Sequence, residues 1–295
     1  MIRYMIYSVV PLLVLIAASS LACIVGYFVM QGIGDHYTLA KIITKSTQLF
    51  LVLSIFPAMA CLKFNKGDLG FAKKTVFLKQ VAQGIGLGLI TLMPVFIVLY
   101  ALGVNVIDET VTWTAEDVAY KMLISLLLAL LISMIEEPIF RGVLFAGLTK
   151  KMPVVAAILI SSIYYAALHF MDSHTEIAFS DVQLLSGFTL LGEAFANIFN
   201  PKVMSAFLAL LMVGIFLGIL RAKVNEGLGV CIGCHTCWVW QIKMSKSLFN
   251  TDFNSDYAYL VSSYDGVVGP LVTVWLGLAI IGYFVYVKEA RLSFV

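Results

Sequence analysis

Eight long apolar stretches constrain the fold of this chain more than any other feature. An α-helix needs about 20 residues to cross about 30 Å of hydrocarbon, and each stretch is near that length. Backbone polar groups in lipid must be satisfied within their own segment, which favours helices. We therefore predict an all-α, polytopic membrane helix bundle with about eight transmembrane helices, forming a single integral membrane domain over residues 1–295. The predicted spans are residues 5–30, 46–62, 81–103, 120–149, 152–171, 203–221, 226–243 and 267–287.

Lysine and arginine are unevenly distributed among the connections between these spans. They concentrate in every second connection and near the two ends, whereas most acidic residues lie in the other connections. Because cytoplasmic loops carry the excess of positive charge, both termini are expected to be cytoplasmic. The acidic outer connection, residues 172–200, could help to gate a pocket, but we interpret it as an ordinary connecting loop. The formal net charge of +2, without a basic stripe interleaved with aromatic residues, gives no indication of nucleic-acid binding.

Three ionisable residues lie together in the fourth apolar span, within residues 136–141 (EEPIFR). One ionisable side chain at bilayer depth costs about 2.5–3.5 kcal/mol on insertion scales, so such a cluster must be compensated or used. Glu137 and Arg141 share a helix face and are expected to form a structural ion pair, while Glu136 lies about 100° away and can face a cavity. Pro138 lacks an N–H and predicts a bend beside the acids. The other interpretation is that all three ionisable residues hold neighbouring helices together and take no part in any chemical reaction.

Two of the four histidines, His169 and His235, also lie inside predicted spans. At about 1.5 Å per residue, Glu136 and His169 lie about 21 Å and 27 Å from the hairpin at residues 150–151, and His235 lies about 16 Å deep in its own span. The three side chains could therefore line one pocket. Tyr165 precedes His169 by one turn, so its ring is expected to pack on the imidazole and its hydroxyl to fix the tautomer. The alternative is that Tyr165 only fills the core.

These residue types suit hydrolysis of an amide by activated water. A carboxylate and an imidazole beside one water molecule provide a base that deprotonates it and a partner that orients it. The attack on a carbonyl forms an oxyanion, which needs a hydrogen-bond donor on its other side. We assign Glu136 as the base, His169 as its partner and His235 as the donor.

The motifs resemble those of the intramembrane CAAX-protease and bacteriocin-processing family, also called CPBP or Abi. The family pattern is Glu-Glu-x-x-x-Arg in one span, an aromatic residue-x-x-x-His in the next, and His-x-x-x-Asn or Asp in a third. This chain matches it with Glu136-Glu137-x-x-x-Arg141, with Tyr165-x-x-x-His169 and, for the third motif, with His235 alone. The resemblance covers about residues 120–245, the predicted catalytic core. It implies an intramembrane endopeptidase of the CAAX protease type that uses Glu136, His169 and His235 as assigned above, with no metal or other cofactor required.

The third motif departs from the family at Val239, where an Asn or Asp is expected. Valine cannot donate a hydrogen bond to an oxyanion. One such donor contributes about 2.7–4 kcal/mol in a hydrolase. The missing donor would have to be replaced by Gln241, by a backbone amide, or by His235 acting alone.

The resemblance also implies the surroundings of the protein. The expected location is the bacterial inner membrane, and the expected partners are the lipid bilayer and a membrane-associated peptide or protein substrate. Prenylated C-terminal peptides, peptide pheromones and bacteriocin leaders are all candidate substrates.

Three other interpretations of the polar residues stay open. Residues 231–235 (CIGCH) match the haem-attachment pattern and, with Cys237, the spacing of an iron–sulfur run that lacks an evident fourth cysteine. Glu136, His169 and His235 could together hold a zinc ion, since one carboxylate with two imidazoles is a known catalytic zinc set. A noncatalytic bacteriocin-immunity factor, scaffold or transporter would use the polar cluster for binding alone.

Overall fold

A computed structural model describes residues 2–292, with the side chains of residue 4 and of residues 6–287. The chain folds into a helix bundle with one small antiparallel sheet. The helices are α1 (Ile2–Ile33), α2 (Leu39–Leu62), α3 (Lys74–Ala101), α4 (Ala115–Glu137), α5 (Phe145–Thr149), α6 (Val154–Leu168), α7 (Ser186–Asn197), α8 (Met204–Lys223), α9 (Leu228–Leu248) and α10 (Pro270–Leu292), and the strands are β1 (Asn105–Ile107) and β2 (Phe249–Thr251). The predicted all-α polytopic bundle is confirmed. The side chains of Arg3, Lys288 and Arg291, on which the charge argument for the termini partly depends, lie outside the described residues.

Six helical segments of the described chain are long and apolar enough to cross a membrane: α1, α2, α3, α8, α10, and α4 with its continuation through α5. Helix α6 is apolar but has only 15 residues, and α9 has 21 residues but a more polar sequence. A helix therefore lies in each predicted span, but the count of eight is not confirmed. The expectation of an ordinary loop at residues 172–200 is wrong in part, because residues 186–197 form α7 and bury one face of it.

The two ends of the bundle can be distinguished by the residues that lie there. At one end, Lys150 Nζ donates a hydrogen bond to the carbonyl of Leu62 at 3.1 Å, and we call this end the lysine face. At the other end lie β1, β2 and the loop of residues 252–269, and we call it the strand face. Helix α6 begins beside Lys150 and ends toward the strand face, where the ring of Phe170 packs on Tyr264 with centroids 4.9 Å apart.

Glycine residues bring α3 and α9 into close contact. A Cβ atom on Gly84 of α3 would lie 2.7 Å from the backbone nitrogen of Cys234 in α9. A Cβ atom on Gly233 of α9 would meet the carbonyl of Val81 in α3. Small residues at an interface between helices allow the two backbones to approach in this way. The contact fixes α9, which carries His235, against α3.

Replacing Gly233 by alanine is expected to destabilise the fold by about 1–3 kcal/mol, because the added methyl group overpacks a rigid backbone contact. Thermal unfolding in detergent would measure the loss. The matched control is Gly86→Ala on α3, where a Cβ atom meets nothing within 4 Å and alanine favours the helix by up to about 1 kcal/mol. Equal stability of the two variants would contradict the close packing of α3 on α9.

Candidate active site

The carboxylate pair lies where α4 changes into a wider turn. Helix α4 begins with a capping box between Thr114 and Asp117 and ends at Glu137. Residues 138–144 then form a π-helical turn that leads into α5. Pro138 has no N–H to donate to the preceding turn, and the wider turn accommodates it. The predicted bend beside the acids is thus a π-turn, a feature that is frequent at functional sites.

The two adjacent glutamates occupy different environments. The side chain of Glu137 is fully buried, whereas that of Glu136 is 25% exposed. Glu136 lines a cavity, and its Oε2 atom has no hydrogen-bond partner among the described residues. The division between a structural and a free carboxylate follows from the angular separation of neighbouring residues on a helix.

Glu137 holds two basic side chains at once. Its Oε1 atom lies 3.2 Å from Nη1 of Arg141 and 2.8 Å from Nδ1 of His235. Arg141 also donates to the carbonyl of Gly214 in α8 at 3.4 Å, and its guanidinium lies 4.4 Å from the ring centroid of Tyr165. The sequence predicted the pair with Arg141 but missed the contact with His235, because no local spacing links positions in α4 and α9.

The contact with Glu137 orients His235. A carboxylate oxygen accepts, so Nδ1 of the imidazole donates and carries a proton. This leaves Nε2 directed toward the other glutamate, 3.9 Å from Oε2 of Glu136. His235 therefore offers Nε2 as a base when neutral and as a donor when protonated.

His169 is oriented by Tyr165, but not through the tyrosine hydroxyl. Nδ1 of His169 lies 2.8 Å from the backbone carbonyl of Tyr165, which can only accept, so Nδ1 carries the proton. The two rings pack edge to face with centroids 4.6 Å apart, as the spacing predicted. The prediction that the hydroxyl fixes the tautomer is wrong, because the carbonyl one turn back occupies Nδ1. The Nε2 atom of His169 is left for the cavity.

One cavity of about 330 Å³ joins these groups. Glu136, Tyr165, His169 and His235 line it together with apolar side chains of α3, α8, α9 and α10. His235 is 3% exposed, whereas Tyr264, at the strand face, is 44% exposed. The cavity therefore runs from the buried His235 toward the strand face. Sequence reasoning did not identify Tyr264 as a site residue, since it belongs to none of the three motifs.

Val239 lines the cavity and Gln241 does not. Val239 lines the cavity, so the valine faces the site where the family motif has a donor. Gln241 is not among the residues that line the cavity. Its Nε2 atom donates to the carbonyls of Gly88 at 3.1 Å and Cys237 at 3.3 Å. The suggestion that Gln241 replaces the missing donor is wrong, because its amide group is used between α9 and α3.

The metal and haem interpretations fit the structure less well. In the described part of the chain, no three His, Cys, Asp or Glu side chains form a group that could hold a metal ion. This includes the zinc set of Glu136, His169 and His235. The thiols of Cys231 and Cys234 are fully buried in helix packing, so neither offers an exposed position for haem attachment.

Comparison with known proteins agrees with the motifs. Residues 118–241 match the family model described as type II CAAX prenyl endopeptidase Rce1-like. None of the curated proteins and none of the solved structures matches the chain significantly. The chain contains membrane-spanning helices and is an integral membrane protein. The predicted resemblance is confirmed, because residues 118–241 match the model of the CAAX protease family.

Proposed function

We propose that this protein is an intramembrane endopeptidase that hydrolyses a peptide bond of a membrane-associated substrate with activated water. The observation that carries the proposal is the meeting of Glu136, His169 and His235 in one cavity inside the helix bundle. The membership of residues 118–241 in a protease family supports the same reaction class.

Glu136 is the proposed general base. Its side chain is partly exposed and lines the cavity, and among the described residues its Oε2 atom has no hydrogen-bond partner, so the carboxylate can accept a proton from a bound water molecule. His169 orients that water through Nε2, because Nδ1 is engaged by the carbonyl of Tyr165. The hydroxide oxygen then forms a bond to the carbonyl carbon of the substrate.

His235 is the proposed donor to the resulting oxyanion. Two carboxylates, Glu136 and Glu137, face one guanidinium, that of Arg141, so a proton on His235 makes the charges of this cluster sum to zero. With Nδ1 already donating to Glu137, the second N–H of the imidazolium is free for the oxyanion. When the carbon–nitrogen bond breaks, the leaving amine takes the proton that Glu136 removed from water.

The test is cleavage of a library of hydrophobic peptides by the purified protein in detergent, with products identified by mass spectrometry. Wild type and a Glu116→Gln control, altered at an exposed carboxylate in the first turn of α4, are expected to give the same products. Glu136→Gln is expected to give none. The absence of products from wild type, or equal products from all three, would favour a noncatalytic immunity factor, scaffold or transporter.

We expect the reaction to need no metal ion. The side chains of Glu136, His169 and His235 do not form a metal-binding group in this structure. Incubation with a strong chelator, followed by its removal, is therefore expected to leave the cleavage rate unchanged. A rate that falls and returns only when zinc is added would support the zinc alternative.

We further propose that the lysine face is cytoplasmic, as positive charge predicts, in a bacterial inner membrane. The cavity would then open away from the cytoplasm, because it runs toward the strand face. In a Cys61→Ser background, Asn254→Cys is expected to react with a membrane-impermeant maleimide in intact cells, and Lys66→Cys only after permeabilisation. The reverse pattern would invert the proposed orientation.

A further inference from the structure

One hydrogen-bond donor is missing from the proposed oxyanion site. Val239 lines the cavity but cannot donate, and the Gln241 amide donates to backbone carbonyls instead. His235 would then be the sole side-chain donor assigned so far. A single missing donor costs a hydrolase about 10²- to 10³-fold in kcat, so a replacement from elsewhere in the chain would matter.

Tyr264 places a phenol group in the same cavity. It belongs to the loop between α9 and α10, beyond the residues that match the family model. Within the described residues its hydroxyl has no hydrogen-bond partner. The hydroxyl is partly buried and is affected by the charges of neighbouring carboxylates. The phenol is therefore a free donor at the edge of the proposed reaction site.

The loop holds Tyr264 in a defined position. The next residue, Asp265, accepts hydrogen bonds from the backbone nitrogens of Val267 at 2.9 Å and Val268 at 2.7 Å. The tyrosine ring packs on Phe170, the residue that follows His169. Tyr264 is thus fixed relative to a proposed catalytic side chain, which is the preorganisation that an oxyanion donor needs.

The phenol also stays protonated at physiological pH. The partial burial of the phenol, and then the charges of Asp265, Glu136 and Asp172, raise the pKa of Tyr264 to about 12. The effect of Glu136 places the phenol within electrostatic range of the proposed base. A neutral phenol can donate a hydrogen bond, whereas a phenolate cannot.

We infer that Tyr264 donates a hydrogen bond to the oxyanion of the tetrahedral intermediate and so replaces the donor that Val239 lacks. The inference rests on the proposed endopeptidase function. It makes Tyr264 a catalytic residue supplied by the segment that follows the family core. The oxyanion then lies between the phenol on one side and the imidazole of His235 on the other.

The test compares Tyr264→Phe with Tyr259→Phe, a control at an exposed tyrosine of the same loop that does not line the cavity. Tyr264→Phe keeps the ring that packs on Phe170 and is expected to lower kcat by about 10²- to 10³-fold with KM unchanged. The control is expected to keep wild-type kcat. Adding Val239→Asn to Tyr264→Phe should restore much of the lost kcat, because asparagine supplies a donor from α9.

The outcomes separate the two proposals. A wild-type protein that cleaves no peptide contradicts the endopeptidase function itself. If wild type is active, an unchanged kcat in Tyr264→Phe, or a rise in KM alone, would overturn the role of Tyr264. A loss of kcat that Val239→Asn does not restore would also count against it, since the tyrosine would then act through structure rather than by donation. Thermal unfolding of each variant would identify any that fails to fold.

Discussion

Replacing Glu136 by glutamine is expected to lower kcat by about 10²- to 10⁴-fold, the usual contribution of a general base, and to leave the stability of the fold nearly unchanged. Glutamine has almost the same shape but cannot take a proton from water. Little stability is lost because, among the described residues, Oε2 of Glu136 has no hydrogen-bond partner and lies 3.9 Å from the basic Nε2 atom of His235. Single-turnover cleavage of a defined peptide, with thermal unfolding alongside, would measure both quantities.

The control for this prediction is Glu116→Gln, which changes a carboxylate of the same helix that does not line the cavity. It is expected to keep wild-type kcat and wild-type stability. Near-normal cleavage by Glu136→Gln would exclude Glu136 as the base. In that case Nε2 of His169 or His235 would be the remaining candidate to deprotonate the water.

The positions of the helices could be predicted from the sequence because apolar length alone decides which segments can span lipid. The number of spans was less predictable. Helix α6 is short for a full crossing, and α9 is enriched in polar side chains because it carries the site on a buried helix. Hydropathy measures preference for lipid, whereas most side chains in the first half of α9 face other helices.

Parts of the candidate site could also be predicted, since its motifs have local helical spacing. The pair of Glu137 with Arg141 and the packing of Tyr165 on His169 both follow from residues four apart. The bond between Glu137 and His235 joins distant helices and depends on how closely α3, α4 and α9 pack. No periodicity in the sequence carries that information.

The loop between α9 and α10 contributes Tyr264 to the cavity, and the sequence motifs could not predict this because the contribution also depends on tertiary packing. Tyr264 enters the cavity because Asp265 and Ser262 organise the loop through hydrogen bonds to its backbone, with Ser262 Oγ donating to the carbonyl of Val268. Such turns are short-range, but their position against α6 is set by tertiary packing on Phe170. Without knowledge of that packing, the sequence does not distinguish Tyr264 from a tyrosine that is simply exposed in a polar loop.

The neighbouring glutamate is expected to behave in the opposite way from Glu136. Glu137→Gln should destabilise the fold by about 3–5 kcal/mol, the usual result of removing one partner from a buried ion pair. Arg141 would be left buried with its charge uncompensated, and His235 would lose the carboxylate that holds Nδ1. Cleavage should be lost as well, because an imidazole that can rotate no longer directs Nε2 at the oxyanion. Unfolding by denaturing detergent in mixed micelles would measure the change in free energy.

A double-mutant cycle separates charge from packing in this cluster. Adding Arg141→Met to Glu137→Gln removes the uncompensated guanidinium, so the double variant is expected to lose less stability than the sum of the two single variants. Additive losses would mean that Arg141 is stabilised by Gly214 and by the ring of Tyr165 rather than by Glu137. Activity should stay absent in the double variant even where stability recovers, because the orientation of His235 depends on the carboxylate and not on the arginine. Glu136 and Glu137 are adjacent in one helix, but their substitution is expected to have different effects. Glu136→Gln removes catalysis from a stable protein, whereas Glu137→Gln lowers stability and removes the carboxylate that orients the imidazole of His235.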